Sequence, residues 1–276
     1  MLRALRVELV KTFAQRGTYV GFPVLAALIA LIGWGLWRHG PADREFERTA
    51  GRDMLVAGHV TTAPFVMQFI LPTIIELLMP LMIAAVVGGL VAGEVQSGTM
   101  RTMLLRPIPR LRLLAAKLGA GWVYTFSLCV FAVLLGSALC YLVFKAGDML
   151  SLSADGLVVF SHDEAIERLA LAYGLATVGR LVIAVLALLL SCLFDNGLTA
   201  AALPVACLIF MGALEHIPYF EQFQCYFLTW HLDVYRLALE ADIDWPAVGQ
   251  RTLGLSAYSV VAFAVAAIAF SRRDFS

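Results

Sequence analysis

Two ionisable residues stand alone inside long apolar runs. Glu76 lies within Phe65–Gly93 and Arg180 within Leu169–Phe194. An isolated ion at membrane depth costs roughly 3 kcal/mol or more, so such residues pair or face a wet cavity. Each sits eleven residues from the start of its run, about 16 Å deep at a helical rise. Equal depth and opposite sign predict a Glu76–Arg180 contact, which either locks two helices together or lines a pathway.

Residues for covalent or hydrolytic chemistry are not assembled in the same way. H-E-x-x-H and G-x-S-x-G are absent, and Asp195 stands alone at the end of a run. Gly254-Leu255-Ser256-Ala257 approaches an intramembrane serine protease pattern, but no histidine falls in any apolar run to act as base. A phosphate-binding P-loop needs a Gly-Lys pair. The three lysines, Lys11, Lys117 and Lys145, follow Val10, Ala116 and Phe144. The chain is therefore expected to be no enzyme and to hold no cofactor. The five histidines (His39, His59, His162, His216, His231) lie outside the apolar runs without metal-ligand spacing. They read as scattered surface residues, and no metal site is expected. Four of the five cysteines (Cys129, Cys140, Cys192, Cys207) fall in apolar runs, and Cys225 lies outside them. No C-x-x-C occurs, and all five read as buried thiols rather than a disulfide framework.

The elements that position these residues follow from composition. Of 276 residues 61% are hydrophobic and 14% charged, with mean hydropathy +0.85. A soluble domain is roughly 45–50% apolar and about 25% charged. Disordered chains, secreted disulfide scaffolds and nucleic-acid binders are excluded, the last because twenty basic residues balance twenty acids. The charges bound six apolar runs, each long enough for a core of about 30 Å. An all-α membrane protein with six transmembrane helices is expected, at about 17–37, 65–93, 118–144, 169–194, 197–214 and 252–271. The runs are continuous rather than alternating, unlike barrel strands. With the N-terminus inside, the inner segments net +7 and the outer loops −7. Both termini are therefore expected in the cytoplasm. The first run reads as an uncleaved span, being longer than a signal-peptide core. Ahead of it, Leu2, Leu5, Leu9 and Phe13 recur at helical spacing beside Arg3, Arg6, Lys11 and Arg16. That predicts an interfacial helix over 1–16, lying on the lipid bilayer surface.

The inner segment 94–117 carries the most information. Gly98-Thr99 is followed by Met100, Met103, Leu104 and Leu105 on one helical face. Pro107 and Pro109 then stop the helix. Arg110, Arg112 and Lys117 lead into the third span. This predicts a short amphipathic helix ending at a stiff corner, with Glu94 at its head. The positive-inside rule alone accounts for the arginines but not for an apolar face followed by two prolines.

At this point the sequence resembles the type-2 permease family of ATP-binding-cassette (ABC) transporters. In the family's inner loop a Glu is followed four residues on by Gly-Thr, then by Leu-Leu, Pro-x-x-Arg and a Lys. Glu94, Gly98, Thr99, Leu104, Leu105, Pro107, Arg110 and Lys117 match that pattern, with Pro109 where a small polar residue is commoner. The match covers 94–117, and the six-span plan covers the whole chain. The resemblance implies that the loop, Met103 included, is a coupling helix docking on a separate ATPase that binds ATP and Mg. It also implies two ATPases and two permeases, the second a further copy or a paralogue. It gives an exporter-type permease subunit in the cytoplasmic membrane moving an unidentified substrate. Two alternatives stay open. One is a non-transporting scaffold that passes ATPase strokes to an envelope partner. The other is a secondary transporter, which would need more intramembrane ionisable groups than Glu76 and Arg180.

The outer segment 215–251 holds Tyr219, Phe220, Phe223, Tyr226, Phe227, Trp230, Tyr235 and Trp245. Such aromatics favour the membrane–water interface, either as an aromatic belt with no substrate role or, as the permease resemblance implies, on short helices dipping into the outer leaflet. Asp233-Val234-Tyr235-Arg236 resembles a turn of some permease relatives, although Trp230-His231 replaces the Asn-Pro that often precedes it.

Overall fold

The computed structural model describes residues 2–39, 62–100, 109–153, 156–215 and 217–273. The described residues are 87% helical. Among the described residues six helices are long and apolar enough to cross a membrane: Arg16–Arg38, Ala63–Gln96, Arg110–Val143, His162–Leu193, Gly197–Glu215 and Trp245–Arg272. They are called the first to sixth spans below, and the short N-terminal helix Leu2–Ala14 is α1. The third, fourth and sixth begin seven or eight residues before the charge-bounded limits read from sequence. Charges mark where hydrocarbon ends, whereas a backbone helix continues into water wherever packing and capping support it. Arg110 and Lys117 consequently belong to the third span rather than to a loop.

The second and fourth spans form the centre. In each, 61% of the most apolar stretch is buried, against 11% in the fifth. Close approach is set by small residues. A Cβ on Gly88 would lie 2.8 Å from both the Ala200 carbonyl and Ala201 Cα, so the second and fifth spans touch backbone to backbone there. The helix breaks at Gly88, and Ser191 of the fourth span repairs it. Its Oγ donates to Gly88 O at 2.6 Å and accepts from the Val91 and Ala92 amides at 3.0 and 2.9 Å.

One end of the bundle gathers α1, the Gln96 end of the second span, the start of the third and the close of the sixth. Call this the loop end. The opposite end carries an antiparallel hairpin, β1 (Met149–Ser153) with β2 (Gly156–Phe160), in which Ser151 faces Val158. The hairpin was not anticipated. Its signal was the Asp155-Gly156 pair between short apolar runs. Between the fifth and sixth spans lie three short helical pieces, Pro218–Tyr226, Leu228–Leu232 and Asp233–Leu239. The last two bury Leu228, His231, Leu232, Val234, Tyr235, Leu237 and Ala238 in the core, while Tyr219, Tyr226 and Trp245 remain exposed.

Candidate functional site

The loop end brings four charges into one cluster. Lys117 is fully buried, and its ammonium lies 2.7 Å from Glu94 Oε1 and 3.2 Å from Glu8 Oε2. It also donates to the Leu90 carbonyl at 2.9 Å. Lys11 adds a second cation on Glu94. Two ammonium groups and two carboxylates thus neutralise one another, and that mutual pairing is the condition on which buried ions are tolerated.

The backbone leaves the second span just beyond this cluster. Gly98 has φ +71°, the left-handed conformation that ends helices and that a side chain disfavours. Its amide bonds Val95 O at 3.0 Å, and the Ser97 and Thr99 hydroxyls both donate to Glu94 O at 3.3 Å. Met100 follows, almost wholly buried. On the returning strand of chain, Arg110 donates to the Ser271 and Arg273 carbonyls at 2.8 and 3.0 Å. Arg273 in turn bonds Asp195 and the Cys192 carbonyl. Arg110 and Arg273 thus tie the start of the third span to the ends of the fourth and sixth spans.

Of the motif residues, Glu94, Gly98, Thr99, Arg110 and Lys117 gather around this end. Met103, Leu104, Leu105 and Pro107 lie outside the described residues. The sequence pattern places Glu94 and Lys117 in a docking loop. They are instead buried against the bundle, because each is the other's counter-ion, and no docking partner can reach the Lys117 ammonium. Sequence reasoning missed Glu8 and the inward role of Lys11. The available signal was that Glu8 is the lone acid in a basic segment, one turn before Lys11. The face of α1 turned to the bundle is accordingly centred on Glu8 and Thr12, both buried, rather than on the leucine stripe. Leu2 is exposed, and Leu5 packs against Gly119.

The intramembrane charges are arranged differently from the expectation. No ion pair within 4 Å joins Glu76 to Arg180. The cause is a π-helical turn, Thr73–Leu78, between Pro72 and Pro80. There the Met79 amide bonds Ile74 O, five residues back. In that register the next amide would be that of residue 80, a proline, so the Ile75 carbonyl receives none. Arg180, fully buried, donates to that carbonyl instead. Glu76 takes other partners: its Oε1 accepts from the Tyr235 hydroxyl and from Arg236 Nη2, both at 2.5 Å. Arg236 Nε lies 3.3 Å from the Tyr235 oxygen and 3.5 Å from Asp233 Oδ2. The Asp-Val-Tyr-Arg turn, given little weight in the sequence, thus supplies the counter-ion. Burial holds the Asp233 carboxyl above its ordinary value although Arg236 pulls it down. Burial and the bond to Glu76 raise the Tyr235 phenol.

His231 is no surface histidine. It is buried, its Nε2 lies 3.0 Å from the Cys225 carbonyl, and its ring fills the space beside Gly254 of the sixth span. Burial lowers its pKa, and the Arg251 guanidinium adds to that. Among the described residues no three His, Cys, Asp or Glu side chains gather as metal ligands would.

Fold and site together define a multi-pass helical membrane protein whose buried charges sit at one helix junction and beside one π turn. Residues 55–276 match the family model described as "Protein of unknown function (DUF2705)", and the chain belongs to that family. No curated protein matches the chain.

Proposed function

We propose that the chain is the permease subunit of an exporter-type ABC transporter in the cytoplasmic membrane, with both termini inside. Two copies, or one copy and a paralogue, would form the pathway. Two separate ATPase subunits would bind ATP and Mg, this chain contributing no catalytic residue. The observation that carries the reading is the meeting of Glu94 with Lys117 immediately beneath the Gly98 turn. Through Glu8, Lys11 and Arg110 the same junction reaches α1 and the sixth span. An ATPase pressing on the segment after Gly98 would move these helices as a group and bias the pathway between two states. Glu94 and Lys117 would transmit the load, while Met103, Leu104 and Leu105 would make the contact.

The test pairs binding with turnover. Chain purified alone should hydrolyse no ATP, and co-expression with its ATPase should give a stable complex. Gly98→Pro or Leu104→Asp should abolish coupled stimulation while the thermal unfolding of the permease stays near wild type. Hydrolysis by rigorously ATPase-free chain, or normal coupling in both variants, overturns the proposal.

A further inference from the structure

A second charged cluster, far from the loop end, plays no part in the permease reading and stands whether or not an ATPase partners the chain. Glu76 belongs to an apolar span, yet its side chain is 43% exposed, and that of its partner Arg236 is 56% exposed. Glu76 stands eighteen residues before Glu94, about 27 Å along a helix. With Glu94 at one edge of a core about 30 Å thick, it lies near the opposite edge, where an ion that protein does not cover meets water, a lipid headgroup or another chain.

Half of each group is already used. Glu76 Oε1 takes both the Tyr235 and the Arg236 bonds, and Arg236 spends Nη2 and Nε on Glu76, Tyr235 and Asp233. Glu76 Oε2 and Arg236 Nη1 have no partner among the described residues. Among the described residues, one carboxylate oxygen and one guanidinium nitrogen of the same ion pair are therefore left without a bond. Both are held on constrained backbone, the π turn and a 3-10 segment, with the buried Arg180 alongside. The Nε of Arg180 is itself unpartnered. From Glu76 toward the loop end the next exposed large hydrophobic side chains are Leu77 and Leu81, at 68% and 45%, one turn apart on one face.

A dipolar polar spot at the head of an exposed apolar stripe matches an amphiphile whose head carries both signs. We propose that Glu76 and Arg236 form a headgroup site for a zwitterionic phospholipid of the phosphoethanolamine type. Its ammonium donates to Glu76 Oε2, its phosphate accepts from Arg236 Nη1, and its acyl chains lie along Leu77 and Leu81. The charge pattern sets the selectivity. A purely anionic head satisfies Arg236 but meets the Glu76 and Asp233 carboxylates. A choline head carries no N–H to give Glu76.

The experiment is a lipid titration of the full chain in detergent, read by native mass spectrometry, with phosphatidylethanolamine, phosphatidylcholine and phosphatidylglycerol of matched chains. Phosphatidylethanolamine should bind tightest. Glu76→Gln and Arg236→Gln should each weaken it about tenfold, the loss of one charge-assisted hydrogen bond, and bring it level with the other two lipids. Leu77→Asn leaves the ion cluster intact, so it decides the matter if the charge variants do not fold. It should weaken the long-chain lipid but not its dihexanoyl analogue. Equal wild-type affinity for the three lipids overturns the proposal, as does an unchanged long-chain affinity in the Leu77 variant. Efficient disulfide cross-linking of two copies through Leu77→Cys, insensitive to added phosphatidylethanolamine, would assign the face to a second copy and likewise overturn it.

Discussion

Lys117 and Glu94, each drawn from a different span, meet at 2.7 Å with side-chain exposures of 0% and 10%. The pair closes the junction from which the chain leaves the second span. It is not isolated, because Glu8 shares the same ammonium and Lys11 the same carboxylate.

That sharing predicts an order of stabilities. Lys117→Met leaves Glu94 with Lys11 but strips Glu8 of its one cation among the described residues. Removing one partner of a buried pair costs about 3–5 kcal/mol, so the unfolding midpoint in detergent should fall sharply. Adding Glu8→Gln to Lys117→Met should recover most of the loss, whereas adding Lys11→Met should deepen it. If both double variants behave alike, the four groups do not form the network described.

The backbone contact between the second and fifth spans gives a paired comparison. Gly88→Ala places a Cβ 2.8 Å from the Ala200 carbonyl and Ala201 Cα. Backbone cannot step aside as a side chain can, so the two spans must part. Gly93→Ala, one turn and a half along the same helix, meets nothing within 4 Å. It should gain up to about 1 kcal/mol in helix propensity. Thermal unfolding of the two variants should therefore shift in opposite directions.

Ser191 offers a polar counterpart. Its hydroxyl accepts from the Val91 and Ala92 amides where the second span breaks at Gly88. Ser191→Ala leaves buried amides without a partner, at a cost of about 1–3 kcal/mol for an unmet group. Ser191→Cys, a poorer acceptor of similar size, should fall between alanine and wild type. Hydrogen exchange at the Val91 and Ala92 amides gives the local readout, and exchange rates unchanged in Ser191→Ala would remove the repair role.

What could be read from sequence divides along a physical line. The six spans were legible because a run of apolar residues between charges is a property of the linear chain. Their ends were not, since Lys117 enters the third helix once Glu8 and Glu94 supply counter-ions from elsewhere, and Arg110 once the Ser271 and Arg273 carbonyls accept from it. The partner of Glu76 was hidden for a similar reason. The need for a donor at the Ile75 carbonyl arises only when the chain adopts a π turn before Pro80, and that need diverts Arg180. Glu94 and Lys117 were singled out by pattern, but a pattern does not say which way a side chain turns.

The last prediction concerns pH and rests on His231. The ring is buried between Trp230 and Tyr258, at centroid distances of 5.0 and 5.7 Å, with Nε2 beside the Cys225 carbonyl. Burial, with the Arg251 guanidinium assisting, puts its folded pKa below the ordinary 6.5. The unfolded chain therefore binds the proton first. Stability is fully present above about pH 6.5, starts to fall as the pH drops below it, and has fallen fully once the pH passes the folded value. Asp233 acts with the opposite sign. Its folded pKa lies above the ordinary 3.8, so its contribution is complete below that value and is lost as the pH rises through the folded one. The two overlap in acid, so a single wild-type curve does not separate them. Subtracting the unfolding-midpoint profile of His231→Asn from that of wild type, between about pH 8 and pH 5, isolates the histidine. The difference should shrink steadily as the solution is acidified from neutrality. A difference that stays flat across that range would show that His231 is not held neutral by the fold.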